Sequence, residues 1–463
     1  MHSSHDNSEQ RTAALGIPKL GSAVVGMSVM LCLMFMGMMH DFRSAGLTHD
    51  QLLEQTLDEM NRFEQDVTAA YPERKAAFVL SAVLAAYCLA TAPGGVRIGS
   101  PLLAALILAA LAWTCASWFW SIDQGKTARE LVRITVYFGL AVGLAVRYDL
   151  AEICSIVFLT SAMTVAFACG HEVVFGSARE LDNTWRLAGS LHPNPLGRFT
   201  AMVAIPALAY ARVAKERRWL WLLILGASLL VIALTKSRTA LACCVAGMAM
   251  VYVLTPGWRK LALQGAVALT VVGAGMIFFG VGGSAVLKTS GEVVTMGRHD
   301  KVGSLTGRLP LWEALLERSE SRRVQGFGFG AFWTADNNES IAEQVSWIPG
   351  HAHSGYVETL IGLGAVGLTL MLLILLLSTS RMCYWAMAYD STPCRVLAAV
   401  MVAAIINTMT EGGFALPREL AIFSMMFAAA ASLRYAPGES KERAAEPARV
   451  APVWGPVGLE GGA

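Results

Sequence analysis

His351 and His353 stand one residue apart at the mouth of an apolar run, GHAHSGYVETLIGLGAVGLTLMLLILLL, that is long enough to cross a bilayer. A neutral imidazole is the side chain best matched to taking a proton near neutral pH. His353 directly precedes the run, so the backbone holds it at the water boundary, with Pro349 and Gly350 shaping the approach. Three arginines occupy comparable places: Arg186 in TWRLAGSLHPNP, Arg238 in LTKSRTA and Arg308 in TGRLPLW. A guanidinium offers a planar fork that fits phosphate oxygens. Lys236 joins Arg238 in a very short turn between two apolar runs. Asn194 is placed to cap the helix that Pro195 opens, and the free N–H groups of such a start favour an anion. Pro310 likewise fits a helix first turn, with Arg308 at its start and Leu311, Trp312, Leu315 and Leu316 as an apolar face that must lie on something. GFGFG at 326–330 allows a tight return toward the membrane. Arginines with one histidine suit a lipid-linked diphosphate as leaving group and a hydroxyl as nucleophile.

Each of these residues also has a plainer reading. Arg186 and His192 can simply open a helix, and Lys236 with Arg238 can snorkel to lipid headgroups. Arg308 can be a surface arginine on a packing helix, and His351 or His353 an interfacial histidine satisfied by its neighbours. Glu317, Arg318, Glu320, Arg322 and Arg323 read as a solvated face.

The elements that must position these residues are helices in a membrane. The 463 residues are 55% hydrophobic and only 15% charged, with a mean hydropathy of +0.51. Repeated apolar runs of about 20 residues mark an all-α polytopic membrane protein. About twelve spans are expected, near 20–39, 76–93, 101–120, 131–146, 150–170, 194–212, 218–234, 239–255, 260–281, 354–378, 394–410 and 417–434. Arg97, Arg147, Arg212, Lys215, Arg217, Arg218, Arg259, Lys260, Arg381 and Arg395 all fall in connections on one side, which the positive-inside rule makes cytoplasmic. Both termini are then cytoplasmic, as a tail at 1–19 and a disordered tail at 435–463. The opposite, periplasmic face receives loops at 40–75 and 171–193 and the largest loop at 282–353. That loop carries seven Lys/Arg against eight Asp/Glu and so reads as a folded surface rather than a lipid-binding strip. The first apolar run reads as a retained signal anchor.

Several function classes are excluded or disfavoured. There is no basic, aromatic-interleaved patch for nucleic acid. The nine cysteines lie in or beside apolar runs, with no disulfide framework and no CxxC metal pattern. DxD, HExxH, GxSxG and the phosphate-cradling GxxxxGK[ST] are absent, so no nucleotide, metal or other cofactor is indicated. No internal repeat marks an inverted-repeat transporter, and a lipid-linked sugar flippase should carry cations deep in the bundle rather than at one mouth.

The order of motifs resembles the O-antigen ligase superfamily of bacterial inner-membrane glycosyltransferases. The resemblance rests on SRT at Ser237–Thr239, TGRxxLW at Thr306–Trp312, GFGFG at Gly326–Gly330 and HSGYVETLIGLGAVGL from His353. In the last motif Ser354 stands where the family has asparagine, and Val357 where it has leucine. The similarity covers roughly residues 180–380; the first spans match in hydropathy alone. It implies a polytopic, GT-C-like helical fold with a large, partly helical periplasmic loop late in the chain. It implies an undecaprenyl-diphosphate-linked donor, with lipid A–core as acceptor in the ligases, another repeat unit in the polymerases, and Ser or Thr in the protein O-oligosaccharyltransferases. The short tail favours the ligase. On this resemblance His353 is the base, Arg238 and Arg308 grip the diphosphate, and Arg186, Lys236, His351, Asn194 and Tyr356 line the substrate site. Apolar grooves between helices hold the polyprenyl chain, the acceptor's acyl chains and membrane lipids.

Overall fold

The computed structural model of the chain describes residues 21–39, 72–93, 98–176, 179–181, 184–255, 308–345, 349–412 and 419–434. The expected tails at 1–19 and 435–463, the loop segment 40–71, the span 260–281 and the segment 282–307 lie outside the described residues. Every other expected span has a helix at its place. These are α1 (Ser22–Met39), α2 (Pro72–Ala90), α3 (Pro101–Ala116, continued by a 3₁₀ turn to Trp120), α4 (Gln124–Arg147) and α5 (Leu150–Phe175). After a β-hairpin, β1 (Arg179–Leu181) and β2 (Thr184–Arg186), come α6 (Pro193–Val213), α7 (Arg218–Thr235) and α8 (Arg238–Val253). The large loop contributes α9 (Arg308–Ser319) and α10 (Ala335–Val345), followed by α11 (Gly355–Ala388), α12 (Thr392–Thr408) and α13 (Glu419–Leu433).

The chain is an all-α membrane protein, its described strands being one short antiparallel hairpin with Arg179 opposite Arg186. Among the described residues, 4 helices are long and apolar enough to cross a membrane: Pro101–Trp120, Leu150–Phe175, Arg218–Thr235 and Gly355–Ala388. The described residues therefore do not by themselves support the expected count of about twelve. α1, α8, α12 and α13 have shorter apolar stretches, and α2, α4 and α6 carry charged residues at an end.

Helix starts follow from short polar caps. Asp123, Ser237, Ser354 and Ser391 each accept a first-turn backbone N–H, and Asp149 forms a capping box with Glu152. The helices alternate in direction. Tyr148 donates to the carbonyl of Ala23, Arg434 to those of Ala145 and Tyr148, Arg381 to that of Gly99, and Arg395 to that of Leu254. One end of the bundle is thus tied by arginines that satisfy terminal helix carbonyls. The start of α1 and the finish of α13 share that end, while α6, α8 and α11 begin at the other.

Apolar burial drives helix association weakly in lipid, so close approach through small residues matters more. A Cβ on Gly197 would stand 2.6 Å from the Ala240 methyl, and one on Gly143 2.8 Å from the Cys88 Cβ. These contacts bring α6 against α8 and α2 against α4. Phe35 of α1 meets Phe199 of α6 at a tilt and Phe423 of α13 edge-on, at ring-centroid separations of 5.9 and 5.5 Å.

The run expected as one span at 354–378 is interrupted. Gly364 has φ 69° and ψ −171°, a conformation essentially reserved for glycine, and α11 breaks there before continuing to Ala388. The backbone groups released by the break find partners, as burial at membrane depth requires. The N–H groups of Phe327 and Gly328 donate to the carbonyls of Ile361 and Gly362, the Trp113 indole N–H to that of Leu363, and the N–H of Ala365 to that of Arg323. The GFGFG return is thus an irregular, turning segment that fills the break, with Gly326, Gly328 and Gly330 all at positive φ.

Candidate active site

Ends of β2, α6, α7, α8, α9, α11 and α12 meet at the mouth opposite the arginine-tied one. Arg186, the last residue of β2, is buried, at 4% exposure. Its Nε donates to the Thr235 carbonyl at 2.9 Å and its Nη2 to Asn194 Oδ1 at 3.0 Å. Leu187 N–H also bonds the Leu234 carbonyl, so the hairpin exit is stitched to the finish of α7. The loop after it turns at Gly189, where φ is +62° and a Cβ would collide with the Ala168 carbonyl.

Asn194 was expected to cap α6. The cap is instead His192, whose Nδ1 accepts the Asn194 N–H, and α6 begins at Pro193. This leaves the Asn194 amide free of the capping role. It accepts from Arg186 and, through Nδ2, donates to Glu411 Oε1 at 3.0 Å. Glu411 follows α12 and is buried at 7% exposure. Its carboxylate also meets Arg308 Nη2 at 3.4 Å and Arg198 Nη1 at 3.8 Å. Arg186, Asn194, Glu411, Arg198 and Arg308 therefore form one polar chain running from the hairpin to the large loop.

Arg308 is the first residue of α9, with Pro310 in its first turn. Leu311 and Leu315 are buried, as the apolar pattern required, but Leu316 is 43% exposed. At 100° per residue Leu316 lies well off the stripe that Leu311 and Leu315 share, and Ala314 takes its place in the buried face. Lys236 closes α7 in the left-handed conformation, at φ 48°, and Ser237 caps α8, so Arg238 opens that helix. Both cations are half-buried. The neighbouring Thr239 hydroxyl lies 3.0 Å from that of Thr410, which places the start of α8 beside the segment carrying Glu411.

The histidine segment meets the same place. Gly355 N–H donates to the Glu411 carbonyl at 2.9 Å, two residues after His353. His353 is half-buried, and its backbone sits at φ +50°. Its N–H donates to His351 Nδ1 at 3.1 Å, and the two rings stand 3.9 Å apart. Ser354 caps α11 by accepting the Val357 N–H. Serine and asparagine are near-equal caps, so the substitution keeps what this position requires of its side chain. Val357 packs on the cluster of Leu311, Leu315, Phe327 and Phe332 beneath the loop. The Tyr356 hydroxyl donates to the Ile405 carbonyl at 2.9 Å and ties α11 to α12.

Of the residues picked out by sequence, Arg186 and Asn194 are thus joined directly, and Arg308 joins them through Glu411. Lys236, Arg238, His351 and His353 flank them on adjoining segments. Arg198 and Glu411 were missed, although both carried a signal: each is a charge set in or at the edge of an apolar run, where an ionisable group is rare without a role.

Residues 221–372 match the family model described as O-antigen ligase. Over 333 residues the chain is 23% identical to the exopolysaccharide production protein ExoQ of Rhizobium meliloti (strain 1021), an alignment covering 70% of this chain and 75% of that protein. The matched family segment includes Lys236, Arg238, Arg308, His351 and His353.

Proposed function

With the chain assigned to the O-antigen ligase superfamily, a group of ligase- and polymerase-type glycosyltransferases, we propose that it transfers a polysaccharide from undecaprenyl diphosphate to a sugar hydroxyl of lipid A–core, as an O-antigen ligase. The observation that carries this reading is the convergence of Arg308, Arg186, Asn194 and the Arg238 turn on the segment next to His353. Arg238 and Arg308 grip the diphosphate, with Lys236 and Arg186 behind them. They stabilise the charge that grows on it as the bond from the anomeric carbon to the phosphate oxygen breaks. The acceptor hydroxyl attacks that carbon from the opposite side, and its proton passes to His353. Diphosphate leaves with the bonding electron pair, and the single displacement inverts the anomeric centre. Arginines supply the positive charge, so the reaction is metal-independent; purified protein is expected to keep its rate in excess chelator, and a rate restored by Mg²⁺ or Mn²⁺ alone would count against this. The active site then faces the periplasm of the inner membrane, with both termini cytoplasmic.

The likeness to ExoQ supports a second reading, in which the acceptor is another lipid-linked glycan and the chain is a polymerase. A deletion strain separates the two. Loss of the long lipopolysaccharide ladder with intact lipid A–core supports the ligase. Core bearing a single repeat, or loss of long exopolysaccharide with an unchanged ladder, supports the polymerase. An unchanged ladder with an unglycosylated protein would point to a protein O-oligosaccharyltransferase.

A further inference from the structure

We propose that Glu358 and Trp312 form a two-sided clamp on the Ala352 peptide that fixes His353 in its reactive orientation, making both of them positioning residues. Ala352 is fully buried between the two histidines. Its N–H donates to Glu358 Oε2 at 2.7 Å, and its carbonyl accepts the Trp312 indole N–H at 2.8 Å. The next residue, His353, holds φ +50°, a left-handed conformation uncommon for a residue with a Cβ. Such a conformation persists where its surroundings over-determine it. Here both polar groups of the preceding residue are held from outside, and the His353 N–H is held by His351 Nδ1.

The clamp is anchored beyond its own helix. Glu358 lies in the first turn of α11, where any acid is favoured by the helix dipole. That preference does not require the bonds it makes. Its second oxygen, Oε1, accepts the Trp333 indole N–H at 2.7 Å, and the Trp333 carbonyl accepts Lys126 Nζ at 2.6 Å. The carboxylate is thus held by the large loop and, through it, by α4. Trp312 sits one helical turn after Arg308 on α9. One short helix therefore sets both the diphosphate-facing arginine and the peptide carrying the base. An ionised carboxylate accepts and cannot donate, which is what two N–H donors need; glutamine would turn an NH₂ toward one of them.

This inference rests on His353 acting as the base. The test uses full-length purified protein, undecaprenyl-diphosphate-linked glycan from the host as donor, and the acceptor that the deletion strain reveals. Glu358→Gln, matched in shape, and Trp312→Phe, which keeps the ring but loses the N–H, are each expected to lower kcat by about 10- to 100-fold, since small misplacements of a reacting group cost that much. KM for the donor should stay within about three-fold, because the clamp acts on the base rather than on binding, and any drop in thermal midpoint should leave the variants folded at the assay temperature. Glu358→Ala should be worse than Glu358→Gln, which keeps one acceptor. Wild-type kcat in both Glu358→Gln and Trp312→Phe, with His353→Ala inactive, overturns the clamp alone. A loss accounted for by lower membrane level or lower stability makes it a structural brace and also overturns it. His353→Ala with wild-type turnover removes the base reading, and the clamp falls with it.

Discussion

His353 joins an imidazole, a side chain able to take a proton, to a backbone in the left-handed region. Its replacement by alanine is expected to lower transfer by about 10²–10⁴-fold at unchanged membrane level, the usual contribution of a general base. Initial rates with the lipid-linked donor check this, and activity within a few-fold of wild type would remove His353 from the chemistry. His351→Ala should be milder, since His351 accepts the His353 N–H and supports its neighbour. Glu411 carries only a general signal, an ionisable group at the edge of an apolar run, and a single carboxylate there matches no motif that would assign it a partner. Its role appears when Asn194, Arg198 and Arg308 are seen to share it. Glu411→Ala takes away the carboxylate facing buried Arg198. Breaking a buried pair from one side costs about 3–5 kcal/mol, and the 3.4 and 3.8 Å separations put this case at the lower end. A clear fall in thermal midpoint of the purified variant is therefore expected; an unchanged midpoint would show that the arginines do not depend on it.

At the scale of elements, hydropathy located the helices but not the break in α11. A run of apolar residues reads the same whether the backbone through it is continuous or turned at one glycine. Glycines stand at 362, 364 and 367 in that run. What was hidden is that Gly364 must adopt φ 69° and ψ −171°, with the Val324 carbonyl where a Cβ would be, 2.1 Å away. The GFGFG motif, read as a tight return, proved to be the partner of that break. Gly364→Ala should therefore lower membrane level and activity together. Backbone strain in this region costs about 1–3 kcal/mol, and the collision adds to it. Gly226 in α7 is the control: a Cβ there meets nothing within 4 Å, so Gly226→Ala should lie within about 0.5 kcal/mol of wild type. Immunoblots of membrane fractions and melting curves read both, and equal behaviour of the two variants would deny the break any structural weight.

For the whole molecule, alternating helices bring residues from distant parts of the chain to one mouth of the bundle. Arg238 opens α8 and Arg308 opens α9, helices far apart in sequence, yet each lies beside the segment that carries Glu411. In the proposed reading these two cations share an anion, the lipid diphosphate, near one histidine. Lysine keeps the charge and loses the planar fork, so Arg238→Lys and Arg308→Lys should each remove most of the activity. Each arginine contact to a charged oxygen contributes about 1.5–3 kcal/mol, and more where water is excluded. If the two grip one diphosphate, their losses cannot add, because removing either already lets the leaving group shift. The double variant should then be little worse than the worse single. Independent interface anchors would behave differently: each lysine variant would retain near-normal transfer, and the double would show the product of two small losses. Glycan transfer by the two singles and the double in a deletion strain, with membrane levels matched, distinguishes these outcomes, and near-normal transfer in both singles would place the diphosphate elsewhere.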